Sequence, residues 1–176
     1  MGLKQRIAVG ALSLSAAGLL GIASHEGFSD TAYIPIADDV PTIGFGSTEG
    51  VKMGDKITVP QALERLHRDV NNAESAIGRC VTVPLSQGEY DAYTSLAFNI
   101  GASAFCSSTL VRKLNGGDYE GACAEILRWD KKKIQTAAGK TVTVTIKGLS
   151  NRRKKEYEMC VKHLKLEHQA DRNERR

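Results

Sequence analysis

Residues 7–24 (IAVGALSLSAAGLLGIAS) contain no charged side chain and no cysteine, and no lysine or arginine follows Arg6 until Lys52. The chain has no second apolar run of membrane length, which excludes a multi-span helical membrane protein. Cys80, Cys106, Cys123 and Cys160 form no C-x-x-C, the cysteine pair that the common zinc templates share, so those templates are excluded and no metal or cofactor is implied. There is no internal repeat, which excludes solenoids and propellers, and no low-complexity segment outside the two ends.

What is present suits one globular domain. The chain has 176 residues, of which 41% are hydrophobic and 25% charged. The net charge of +4 favours polyanionic partners such as cell-wall polymers, membranes or nucleic acid without selecting among them. Residues 162–176 are highly charged and read as a solvated end that frays beyond its first turns. An even number of cysteines in an exported domain suggests two disulfides, and the pairing Cys80 with Cys160 and Cys106 with Cys123 is favoured among three connectivities.

The uncharged run is preceded by Lys4 and Arg6, which keeps the N-terminus cytoplasmic and sends the body across the membrane. Eleven of its 18 residues are Gly, Ala or Ser, so it is long enough to engage export but weakly held by lipid. A cleaved signal peptide with Ala23-Ser24 at the cleavage site, a permanent anchor and a soluble core helix are all open readings. The favoured one is a signal anchor that later leaves the bilayer and packs on the domain. Gly2 begins like a myristoylation motif, but Arg6 fills the position that needs Ser or Thr.

In the body, AYIPI and PTIGFGS flank a polar turn at Ala37-Asp38-Asp39 and predict a small hairpin. Thr58 with Gln61 forms a capping box that opens a helix to about Gly78, and Ser86 with Glu89 forms a second that opens a helix to Asn99-Ile100-Gly101. A short helix follows Ser108, Asp118 caps the next, which takes in Ile126 and Trp129, and the last starts near Ser150. TVTVTI (residues 141–146) reads as a strand turning at Ala138-Gly139, either a plain surface hairpin or a cleft edge. The fold class is α+β, a small N-terminal hairpin lobe followed by a mainly helical lobe.

His25-Glu26-Gly27-Phe28, Ala32-Tyr33 and Pro41-Thr42-Ile43-Gly44-Phe45-Gly46-Ser47-Thr48 resemble the catalytic segment of the phage-type lysozymes of glycoside hydrolase family 24. Val83-Pro84-Leu85-Ser86-Gln87, Tyr90-Asp91-Ala92, Phe98-Asn99-Ile100-Gly101 and Leu114-Asn115-Gly116-Gly117-Asp118-Tyr119 continue the match, as does Gly148-Leu149-Ser150-Asn151-Arg152-Arg153 up to Glu156. A Gly/Ala-rich run followed at once by the catalytic Glu resembles the signal-anchor-release endolysins within that family. Some of those switch by disulfide exchange through a cysteine in the run; here none is present, so release and refolding would be the trigger.

The resemblance implies a lysozyme-like fold with an anchor segment over 1–24, a catalytic domain over 25–166 and a charged tail over 167–176. It implies a monomeric endolysin that cleaves the β-1,4 bond between N-acetylmuramic acid and N-acetylglucosamine. Its expected partners are peptidoglycan, the host export machinery and the host inner membrane (through residues 7–24), with no nucleic acid. The expected location is the inner membrane while inactive, then the periplasm. Glycoside hydrolysis needs a protonated carboxylic acid and commonly a second, ionised carboxylate. The family assigns the acid to the position of Glu26, which should lie under an apolar roof that keeps it protonated. The usual second Asp falls on Pro35, so Asp39 is favoured instead, with Asp38 or no second carboxylate as alternatives. Thr42 matches the threonine that holds water; His25 and Trp129 read as packing residues. A lytic transglycosylase using Glu26 alone and a tethered wall-binding module without turnover are the rival readings.

Overall fold

Two capping boxes set the frame. The computed structural model describes residues 6–35, 40–136 and 139–174, without the side chains of residue 163 and residues 165–174. Thr58 and Gln61 cap α2 (Val59–Cys80), and Ala62, Leu66, Val70, Ala73 and Ile77 turn its apolar face inward. Ser86 and Glu89 cap α3 (Gln87–Ile100), where Ser86 accepts from the Glu89 N–H and Glu89 from the Ser86 N–H. This helix is the axis of the body, and its residues from Glu89 through Ala97 are all buried. Its polar members therefore need partners inside the protein.

Around α3 pack α4 (Ala102–Cys106), α5 (Thr109–Asn115), α6 (Tyr119–Glu125) and α7 (Lys147–Glu174). The caps predicted at Ser108 and Asp118 are present, accepting from the Val111 and Gly121 N–H groups. Trp129 lies just beyond a 3-10 turn (Ile126–Arg128) and packs against the core. The last helix starts three residues ahead of Ser150, whose hydroxyl bonds Asp130 within the first turn. It continues to Glu174, where the charged sequence predicts a frayed tail.

The N-terminal hairpin is β1 (Ser29–Tyr33) paired antiparallel with β2 (Thr42–Gly44), with its own small core of Ala32, Ile43 and Val51. Its turn, with Asp38 and Asp39, lies outside the described residues, as do Lys4 and Ala138. A second hairpin, β3 (Lys131–Gln135) with β4 (Thr141–Thr145), stands out from the body with five paired residues.

The uncharged run is not one helix. Ile7 bridges Leu85, Val9–Ala11 makes a 3-10 turn, and helix α1 spans only Ala16–Glu26. Eleven residues rise roughly 16 Å, about half a bilayer core. Among the described residues no helix is long and apolar enough to cross a membrane. Ile22 and Ala23 of α1 pack on Leu66 and Val70 of α2.

The disulfides are Cys80–Cys106 and Cys123–Cys160, not the favoured pairing. Cys80 ends α2 against α4, while Cys160 is buried where α7 meets α6, with Cα separations of 5.4 and 5.8 Å. Helix packing, not spacing, chooses between connectivities. Replacing Cys123 and Cys160 by serine opens a cross-link of 37 residues and is expected to cost roughly 3 to 4 kcal/mol. Thermal melts of oxidised protein check this; an unchanged Tm would contradict it.

Candidate active site

Glu26 is the last residue of α1, and Gly27 turns the chain into β1 with φ 73°, which a side chain would resist. The turn leaves the Glu26 carboxyl at a cleft of about 290 Å³, lined also by Gly27, Phe28, Ser29, Tyr33 and Gly44. On the hairpin side, a Cβ on Gly46 would lie 3.9 Å from Glu26 Oε2, so this backbone closely faces the carboxyl. Phe28 and Phe45 stack at a tilt with centroids 5.3 Å apart, and Phe28 and Tyr33 are each 44% exposed.

The expected apolar roof is not what meets the carboxyl. Arg152 of α7 donates from Nη1 to Glu26 Oε1 at 2.5 Å, and its own side chain is buried. Arg152 is braced in turn. Its Nε donates to Glu156 Oε1 at 3.1 Å and its Nη2 to the Ser95 carbonyl at 3.3 Å. Glu156 also accepts from the Ser95 hydroxyl at 2.7 Å and from Arg153 Nη2 at 3.0 Å. Burial pushes the Glu156 carboxyl up and the Arg153 guanidinium down, against their mutual attraction. His25 sits half-buried beside this cluster. Burial first, then the charges of Arg152 and Lys155, hold its imidazole below the usual value. That favours a neutral packing residue.

Thr42 is buried on β2, opposite Tyr33 of the cleft, and its hydroxyl donates to the Val40 carbonyl at 3.1 Å. It thus lies next to the cleft without lining it. Asp39 and Asp38 lie outside the described residues, so the second carboxylate has no described position. Among the described residues no group of three His, Cys, Asp or Glu side chains is arranged to hold a metal.

A family model described as phage lysozyme matches residues 23–156, from just ahead of Glu26 to Glu156. The chain belongs to the phage lysozyme family. It is 42% identical over 123 residues to an endolysin of Acyrthosiphon pisum secondary endosymbiont phage 1, covering 70% of this chain and 84% of that one. It is 36% identical over 146 residues to a SAR-endolysin of Pseudomonas phage phiKMV, covering 83% and 87%. The endolysin from Escherichia coli O157:H7 phage FAHEc1 has the same fold, with a TM-score of 0.76 at 36% identity over 86% of this chain and 94% of that one. Phage lysozymes are hydrolases of the cell wall, and the α+β body with its hairpin lobe matches their architecture.

Reading the sequence of this phage lysozyme residue by residue misses Arg152. Its signal was available in the spacing of Arg152 and Glu156, one helical turn apart, where a buried ion pair can form. The exposed rings of Phe28 and Tyr33 are also missed, because single aromatics carry no periodic signal.

Proposed function

We propose that this phage lysozyme hydrolyses the β-1,4 bond between N-acetylmuramic acid and N-acetylglucosamine in peptidoglycan, with Glu26 as general acid. The observation that carries this is the seat of the Glu26 carboxyl, at the end of α1, in a cleft whose other lining residues belong to the turn and hairpin that follow it. A glycan strand laid in the cleft would bring a glycosidic oxygen to that carboxyl, while Phe28 and Tyr33 offer flat apolar faces to sugar rings. Asp39 is the favoured second carboxylate, as base or electrostatic stabiliser. Thr42, two residues from Gly44 of the cleft wall, would help to hold water, once its hydroxyl turns from Val40.

Residues 7–24 would lie in the inner membrane before release, and the name SAR-endolysin borne by the phiKMV relative supports that reading. Because the same run supplies α1, whose final residue is Glu26, a run held in lipid cannot build the cleft seen here. Residues 1–24 would then be the release segment, 25–166 the catalytic unit and 167–176 the charged end.

A basic stretch supports a wall polymer with peptide carboxylates as substrate. Residues 131–147 hold five lysines and no acid. Replacing Lys131, Lys132 and Lys133 by alanine is expected to weaken binding to purified sacculi several-fold at low ionic strength and little at high salt. Equal binding at both would sever the link between these lysines and the wall.

Mass spectra of released muropeptides test the reaction. Reducing muramic acid ends are expected, and anhydro ends would establish the transglycosylase instead. Fractionation over an infection tests the control: full-length protein should pass from membranes to periplasm, with activity only in the second pool.

A further inference from the structure

Where the uncharged run interrupts its own helix, carboxylates of the body take hold of it. Arg6 donates to the fully buried Glu89 from Nε at 3.2 and 3.0 Å and from Nη2 at 2.8 Å, and its guanidinium lies 3.9 Å over the Tyr119 ring. The Leu14 N–H donates to Glu74 at 2.7 Å, on an oxygen that also accepts from the Tyr90 hydroxyl at 3.0 Å. Ser15 gives Asp91 both its N–H, at 3.0 Å, and its hydroxyl, at 2.5 Å. Gln87 bridges the two partners, donating to the Ser13 carbonyl and to Asp91, each at 2.8 Å. A Cβ on Gly18 would stand 2.9 Å from Asp91 Cγ, so the small residue lets α1 approach this carboxylate.

These contacts are specific to an unwound segment. In a continuous helix the N–H groups of Leu14 and Ser15 would bond carbonyls of the preceding turn and have nothing to give to Glu74 and Asp91. The run therefore has two satisfied states: all helix in lipid, or broken on this acidic face. They exclude each other. An 18-residue helical run rises roughly 27 Å and would keep Arg6 on the far side of the bilayer from Glu89. Glu89 would then be a buried carboxylate without its cation, an arrangement that strongly disfavours the surrounding packing.

We propose that Glu74, Glu89 and Asp91 form a binding site on the body for residues 6–18 of the same chain. Arg6 has two seats, the cytoplasmic membrane flank before release and Glu89 after it. This rests on the release reading above and adds its driving contact: occupation of the site draws the run from lipid and locks α1, and with it Glu26, in place. Any contact made only in the docked state shifts the partition by its own free energy, wherever it lies in the chain.

The test is Glu89→Gln in the full-length chain. Glutamine keeps the acceptor that the capping box needs, so α3 stays capped, but it removes the charge that Arg6 pairs with. The substitution lies outside the apolar run and outside the cleft, so the run's own affinity for lipid is unchanged. The readouts are membrane-to-periplasm partition with time, onset of lysis, and, on purified soluble protein, the rate of tryptic cleavage after Arg6 and the separate values of kcat and KM. Expected are slower release, later lysis, cleavage faster on the order of ten-fold, and kcat lowered several-fold at unchanged KM. Arg6→Lys should fall between wild type and Glu89→Gln, and Asp91→Asn should repeat the pattern. Release, cleavage and kcat all equal to wild type in Glu89→Gln and Asp91→Asn would overturn the proposal. If the wild type is never found in membranes, the release reading falls and the drawing-out role with it, while the cleavage rates still decide whether the binding site exists.

Discussion

Glu26→Gln is expected to lower peptidoglycan clearing by about 10²- to 10⁴-fold, the usual contribution of a positioned general acid. The amide keeps the shape of the side chain and an oxygen that can still accept from Arg152, so the cleft between hairpin and body should survive. What disappears is the proton delivered to the leaving oxygen. Without it the departing sugar would leave as an alkoxide, which is the step that makes glycoside cleavage slow at neutral pH. The experiment compares turbidity clearing with pull-down on sacculi. Clearing should collapse while binding persists, and the Tm should stay close to wild type. A fully lytic Glu26→Gln enzyme would remove this glutamate from the chemistry. Lost binding together with a lowered Tm would assign it to structure instead.

Glu156→Ala is expected to be the most damaging single change to the fold. One carboxylate holds the Ser95 hydroxyl, Arg152 and the fully buried Arg153, the last through contacts of 3.0 and 2.9 Å. Removing it leaves the guanidinium of Arg153 in the interior without its counterion and Arg152 with Glu26 alone. The penalty for such an orphaned charge is about 3–5 kcal/mol, which would lower the Tm on the order of 10 °C in a domain of this size. The damage should also reach the cleft, because Glu156 braces the Arg152 that grips Glu26. Activity should therefore fall at temperatures where the variant is still folded. Thermal melts and clearing assays well below the Tm separate the two effects. The double change Glu156→Leu with Arg153→Met should recover much of the lost stability, since apolar pairs replace buried ion pairs at little cost. It should recover little of the activity. A Glu156→Ala protein as stable and as active as wild type would mean that this network supports neither the fold nor the cleft.

The elements that could be read in advance share one property. The signals for α2 and α3 lie within four residues of chain: Thr58 with Gln61, and Ser86 with Glu89, each close hydrogen bonds that need no other part of the protein. The caps at Ser108 and Asp118 are of the same kind. The strand character of TVTVT comes from alternation and β-branching, again local. Glu26 itself was legible through its setting, directly after the uncharged run and within a segment that resembles the catalytic segment of phage-type lysozymes.

What could not be read in advance also shares one property. The uncharged run looks like a single membrane-length segment, yet Arg6, Leu14 and Ser15 find carboxylates that lie 60 to 83 residues further on. The favoured disulfide pairing is wrong because pairing depends on which helices pack together. The apolar roof expected over Glu26 is in fact a guanidinium from 126 residues away.

Chain-local chemistry was enough to determine the α+β class, the starts of α2, α3, α5 and α6 and the two hairpins, since each rests on backbone geometry and bonds between near neighbours. Tertiary packing alone decided the two disulfides, the arginine on Glu26 and the broken course of the N-terminal run. Those depend on burying charges and apolar faces together, and a buried charge accepts whichever partner the folded chain brings to it, however distant in sequence.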